Sequence, residues 1–343
     1  MDRESGKHLA GGTPKNNKPQ KPKKPSRLTR QQKLLIAVAV VLAIVLIAVV
    51  ACQSLFVRPD LPEKNADADS GTQEEEIDWG EGIRPHSGGE RKSDDYYTVL
   101  ILGRDTGGGG NTDTMLLASY DVTNQKATVM SIPRDTMVNV SWDIKRINSV
   151  YNWYGGGEKG IQNLYKEISQ LVGFEPDYQV IVEWEAVGQI VDAMGGVWFD
   201  VPRNMNYDDP YQDLHIHQEK GYRLLTGDDA MQVLRFRDGA NGYKDGDLGR
   251  IKTQQSLLKA MIEQLLQLKN VTKIGDFARV VKNNVTSDLT FEEMLWFGSQ
   301  AVMGGLKIEN VNFVTMPNTN KSCYSRVYHR TQSYVTPNAQ ELL

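Results

Sequence analysis

The 343-residue sequence has two cysteines, five histidines and no internal repeat. Cys52 and Cys323 lie far apart in the chain, so no disulfide framework holds it together. The glycine-rich stretches, Gly107–Gly110 and Gly155–Gly157, are followed neither by a Walker lysine nor by dinucleotide-binding spacing, which excludes the common nucleotide loops. Ser131 has no histidine near it in the sequence, which argues against a hydrolase triad. His215 and His217 alternate as on a strand; they read as a satisfied surface pair, with metal ligation as the alternative.

Apolar residues are nearly missing from positions 1–33, which contain no aromatic and are rich in Lys, Arg, Pro and Asn. Such a segment cannot bury a core, and we read it as a disordered basic tail. Charge then disappears from Leu34 to Ala51, and the apolar character runs on to residue 56. That run is long enough to cross a bilayer as one helix, assigned to 34–56. Lys23, Lys24, Arg27, Arg30 and Lys33 precede it and acidic residues follow, so the N-terminus is expected inside and the rest outside the cytoplasm. Val49-Val-Ala-Cys52 loosely resembles a lipoprotein box, but the long basic lead argues against lipidation. The same lead orients a membrane helix, and no nucleic-acid partner is expected. Residues 57–95 are acidic and poor in apolar residues, a linker extended by self-repulsion. A large extracytoplasmic domain without disulfides fits a bacterium, and the three Asn-Val-Ser/Thr sequons then carry no meaning.

From Tyr96 the pattern becomes that of a packed domain. Short apolar runs at 98–103, 114–120, 126–132, 178–183, 196–201 and 311–315 read as strands. Helical stretches at 158–171, 185–194, 227–236, 251–268, 275–282 and 291–303 interleave with them. The alternation predicts an α/β fold: one three-layer α/β/α domain over 96–320 with a central mixed sheet, preceded by the transmembrane helix. Residues 321–343 are left as a C-terminal tail.

Charge gathers where strands and helices end. The stretch from Arg235 to Gln255 holds three arginines, three carboxylates and four glycines between two helical segments. A guanidinium is a permanently charged planar fork suited to phosphate oxygens. The first strand runs into Arg104-Asp105 and a glycine-rich loop before Asp113, and the third ends at Arg134-Asp135. Ligands gather at such strand ends. Asp105 and Asp113 flank the loop, and two carboxylates beside phosphates are a usual way to hold Mg2+. Arg235 and Arg237 serve one ligand only if the helix ends about there, because residues two apart on a helix face away from each other.

These residues fall in motifs: Leu102-Gly-Arg-Asp105, Asn111-Thr-Asp-Thr-Met115, Ser131-Ile-Pro-Arg-Asp135, Arg146-Ile-Asn148, Asp192-Ala-Met-Gly-Gly-Val197, Arg235-Phe-Arg237 and Gly246-Asp-Leu-Gly-Arg250. In this order, over about 96–320, they resemble the LytR-CpsA-Psr family of cell-wall glycopolymer transferases. The resemblance implies an extracytoplasmic α/β enzyme of a Gram-positive bacterium that uses Mg2+, or Mn2+ in its place. Its donor would be a polyprenyl-pyrophosphate-linked glycan such as teichoic acid or capsule, and its acceptor peptidoglycan. By position, Asp105 and Asp113 would hold the metal. Arg134, Arg146, Arg235, Arg237, Arg250 and Gln254 would contact the pyrophosphate, and Asp247 and Arg134 would be catalytic. Asn111 and Thr253 stand where the family often has arginine, Arg146 where it has lysine, and the loop from Arg237 to Asp247 is slightly long. The competing expectations are a sensor of lipid-linked sugars and a polyprenyl-pyrophosphate hydrolase.

Overall fold

The structure is a computed structural model, described here for residues 56–62, 91–104, 112–211, 214–237, 242–244, 247–267 and 274–338. The basic tail, the expected membrane helix except residue 56, most of the acidic linker, Asp105 and Asn111 lie outside these residues. Among the described residues no helix is long and apolar enough to cross a membrane.

Among the described residues twelve strands follow in chain order: β1 (Tyr96–Arg104), β2 (Thr112–Asp121), β3 (Lys126–Ile132), β4 (Tyr178–Glu183), β5 (Val197–Val201) and β6 (Met205–Asp209) come first. Then come β7 (Leu214–Gln218), β8 (Gly221–Leu225), β9 (Val285–Ser287), β10 (Val311–Thr315), β11 (Asn318–Ser325) and β12 (Arg330–Pro337). The main helices are α1 (Gly157–Val172), α2 (Trp184–Met194), α3 (Gly227–Arg235), α4 (Asp247–Leu265), α5 (Ile274–Asn284) and α6 (Phe291–Met303).

Six strands make a central mixed sheet in the order β10-β3-β2-β1-β4-β9. β1, β2 and β3 form an antiparallel meander, while β4 joins β1 and β10 joins β3 in parallel. Side chains alternate across a strand, so residues three apart on β1 face opposite ways. On one face Leu100, Leu102, Met115, Leu117, Ile132 and Ile181 pack with Ile161, Leu164 and Ile168 of α1. On the other, Tyr97 and Tyr178 pack with Trp296 and Phe297 of α6, the Tyr97 and Phe297 rings meeting edge to face at 5.0 Å. The turn before β3 forms because Asp121 Oδ1 accepts the Asn124 amide at 2.9 Å. Thr226 and Thr290 each close a reciprocal capping box, with Asp229 and Glu293, and these set the starts of α3 and α6.

A second core lies beyond the sheet, where α2, α3 and α4 cover two antiparallel pairs, β5–β8 and β6–β7. The strand expected at 196–201 therefore exists, but outside the central sheet. Its burial alternates, with Trp198 and Asp200 exposed, as suits a strand covered on one face. Residues 318–337 form the hairpin β11–β12, so much of the segment assigned to a terminal tail is structured. The apolar stripe of α4 belongs to this core: Leu257 is fully buried and Met261 nearly so.

Candidate functional site

Strand register brings the charged strand ends to one end of the sheet. Arg104 pairs with Thr112 and Glu183, Met115 with Ile132, and Thr315 with Ser131. Asp113, Arg134 and Asp135 therefore gather there with Arg104. Arg134 Nη1 stands 3.3 Å from Asp113 Oδ1, with both side chains largely covered. Arg104 pairs with Glu183 at 3.2 Å.

Arg146 is drawn to the same region. The backbone after β3 turns so that the Asn148 amide donates to the Arg134 carbonyl, and Thr112 Oγ1 donates to the Asn148 carbonyl at 3.2 Å. Buried Ile147 fixes that crossing, which accounts for the central residue of its motif. Arg146 then lies 3.3 Å from Asp135, donates to the Ser333 carbonyl at 2.9 Å and sits over the Tyr334 ring. Part of its hydrogen-bonding capacity is thus held by the C-terminal hairpin.

The second arginine pair sits where α3 stops. Arg235 is its last residue, and Phe236 turns extended at φ −62, ψ 126. Phe236 is fully buried, whereas Arg235 and Arg237 are exposed on either side of it. In extended backbone residues two apart share a side, so the end of the helix lets both guanidiniums face one ligand. The buried ring is the anchor for both; it packs against Tyr243 at 5.7 Å.

Two adjacent glutamines join these halves. Gln254 Nε2 donates to the Leu234 carbonyl at 3.3 Å, holding α4 to the end of α3. Gln255 Nε2 contacts Ser131 Oγ and the Val314 carbonyl, each at 2.9 Å, and Thr315 Oγ1 at 3.2 Å. Helix α4 starts four residues earlier than the periodicity indicated, which places Asp247 and Arg250 in its first turn. The side chain of Asp247 lies outside the described residues. Gly249 is required by packing, because a Cβ there would stand 2.6 Å from the Cβ of Tyr243.

Not every motif belongs to this end of the sheet. Asp192 Oδ1 accepts the Gly227 amide at 2.7 Å, and Gly195 and Gly196 adopt φ of 84 and 93 to end α2. That motif joins α2 to α3. Sequence reasoning did not assign a role to Gln255, whose signal was only its place beside Gln254. Arg203 and Tyr243 were missed as well. They line a cleft of about 860 Å3 with Lys220, Lys244, Lys252 and Ser256. The Arg203 guanidinium lies 4.3 Å from the Tyr243 ring centre and donates to the Gly242 carbonyl. The Tyr243 hydroxyl donates to Thr253 Oγ1 at 2.7 Å, and burial raises its pKa. Thr253 is thus a buried anchor for that ring.

The donor set suits a hard cation and phosphate oxygens: a partly exposed carboxylate, Asp113, lies among arginines at a sheet end. Among the described residues Asp113 offers one hard oxygen ligand, now paired with Arg134, and a cation held there would draw the rest of its shell from water, phosphate oxygens and residues outside the described ones.

Comparison with known proteins places the fold and the family. Regulatory protein MsrR of Staphylococcus aureus is 26% identical over 237 residues, 68% of this chain and 68% of that protein. A Bacillus cereus protein named polyisoprenyl-teichoic acid–peptidoglycan teichoic acid transferase TagU is 31% identical over 203 residues, 57% of this chain and 62% of that protein. The crystal structure of B. subtilis TagV shares the fold, with a TM-score of 0.58 at 23% identity over 73% of this chain and 94% of that one. The LytR_cpsA_psr family model matches residues 61–342, through both cores and every motif at the arginine-lined end of the sheet, and the chain belongs to that family.

Proposed function

We propose that this protein transfers a cell-wall glycopolymer from a polyprenyl-pyrophosphate carrier to peptidoglycan. The observation that carries the reading is the joining of two arginine groups, around Arg134 and around Arg235 and Arg237, through Gln254 and Gln255 of one helix. Membership of the family and the resemblance to the transferase TagU support it.

In the proposed reaction a sugar hydroxyl of peptidoglycan attacks the phosphorus nearer the glycan. The bond from that phosphorus to the bridging oxygen breaks, and polyprenyl phosphate leaves with the electron pair. The hydroxyl proton passes to a base, and the glycan becomes joined to the wall through a phosphodiester. Negative charge grows on the leaving phosphate, where guanidiniums stabilise it more than they stabilise the bound donor. Arg134, Arg235, Arg237 and Arg250 are assigned to that task, with Arg146 and Gln254 at its edges and Asp247 as a further catalytic group. Asp105 and Asp113 would hold Mg2+, or Mn2+, which neutralises pyrophosphate charge. Residues 34–56 would anchor the chain in the membrane, with the domain outside the cytoplasm of a Gram-positive cell.

The test is reconstitution of purified protein with a labelled lipid-linked glycan, peptidoglycan and Mg2+. Label covalently attached to peptidoglycan is the expected result. Release of free glycan phosphate would instead make the protein a hydrolase. Tight donor binding without turnover across several native donors would make it a sensor.

A further inference from the structure

Away from this site, the hairpin β6–β7 carries a second chemically distinct cluster. Asp208 stands opposite His215 in the antiparallel register, and His217 lies two residues further along β7 on the same face. His215 Nδ1 is 2.7 Å from Asp208 Oδ1, and His217 Nε2 is 3.2 Å from that same oxygen. One ligand atom from each residue lies within 4.8 Å of the other two. We propose that Asp208, His215 and His217 form a surface site for a borderline divalent transition-metal ion of the Zn2+ type.

The ligand chemistry selects the class of ion. Two imidazole nitrogens and one carboxylate suit Zn2+ and its neighbours, whereas Mg2+ prefers oxygen alone. Ligand atoms about 2.0–2.2 Å from a tetrahedral ion are separated by roughly 3.3–3.6 Å. The 3.2 Å contact is near that spacing and the 2.7 Å contact is shorter, and the side chains, all more than half exposed, have room to open it. Two imidazole contacts now converge on the shared carboxylate oxygen. An ion between the three groups replaces both, and a neutral imidazole then carries its proton on the other ring nitrogen. Water fills the remaining position.

The backbone beneath the cluster is held. Ile216 and Gln218 face inward on the alternate positions, both buried. Gln218 Nε2 donates to Asp229 and Gln232 of α3, and the His217 amide also donates to Gln232, each at 2.9 Å. The two histidines therefore project from a strand fixed to a helix, which lowers the ordering cost of binding. The ion would clip β6 to β7 and add stability in proportion to its occupancy.

The experiment is a Zn2+ titration of untagged, metal-stripped protein by calorimetry, with imidazole 15N resonances followed by NMR. One ion per chain is expected, with the His215 and His217 resonances shifting together. Asp208→Asn and His217→Ala should each weaken binding by about tenfold or more, and Mg2+ in excess should not displace Zn2+. Both variants should melt like the parent in the absence of Zn2+, since they alter exposed side chains. Unchanged affinity in both variants, histidine resonances that do not move, or no binding at all would overturn the proposal.

Discussion

Arg134 and Asp113 stand 3.3 Å apart at the end of the sheet, so an arginine assigned to phosphate neutralises the carboxylate assigned to the metal. The pair makes metal binding and the arginine competitors for one carboxylate. A partly exposed pair of this kind contributes about 0.2–1 kcal/mol, so Arg134→Ala should tighten Mg2+ binding by at most about fivefold. Transfer should nevertheless slow, because the proposed reaction also sets this arginine against the leaving phosphate. Asp113→Asn should weaken Mg2+ binding and slow transfer by about a hundredfold, with little change in melting. Mg2+ dependence of transfer rates, measured beside thermal melts, tests both; a variant fully active in EDTA would sink the metal assignment.

The paired arginines after α3 give a second expectation. Arg235→Lys and Arg237→Lys keep charge but lose the two-pronged contact. Each should cost about 1.5–3 kcal/mol, or roughly ten- to a hundredfold in transfer. Because both flank buried Phe236 and are assigned to one ligand, the double variant should lose less than the sum. Strictly additive losses that track a fall in melting temperature would assign these arginines to the fold instead.

Legibility followed local chemistry. β3, β4 and β10 have the bounds their short, mainly apolar runs indicated. β6–β7 and β11–β12 carry charged or polar exposed faces, which resemble loops until a partner strand is known. The charged residues at the strand and helix ends were legible in type but not in how they are brought together. Nothing in the spacing says that Gln255 reaches Ser131 and Thr315, residues remote in sequence brought together by parallel pairing of β3 and β10. The His215–His217 alternation was visible, whereas Asp208 joins it only through antiparallel register.

That Gln255 contact predicts a coupling between packing and rate. Gln255→Leu keeps the volume but leaves the Ser131 and Thr315 hydroxyls and the Val314 carbonyl without this donor. A loss of about 1–3 kcal/mol in stability is expected. Since α4 also carries Arg250 and Gln254, the turnover number should fall while donor affinity changes little. Denaturant melts and a split of kcat from KM measure the two effects. Full turnover with the stability loss would mean that α4 does not position the site.

The last expectation concerns Glu167 on α1, outside the reaction site. Burial pushes its pKa from 4.5 up to about 7, against the pull of the Asn139 amide and Lys145. The folded chain therefore holds this proton more tightly than the unfolded chain does. Stability from this group is greatest below the unfolded pKa and falls as pH rises through the folded one. Above about pH 7 a partly buried carboxylate persists as a fixed cost. Glu167→Gln mimics the protonated form, so it should match the parent near pH 4.5 and become more stable than it by pH 8. Contact with water reduces the full value of the shift, leaving about 1–2 kcal/mol. Thermal melts of both proteins between pH 4.5 and pH 8 measure the difference directly. Parallel curves across that range would place Glu167 in ordinary contact with solvent.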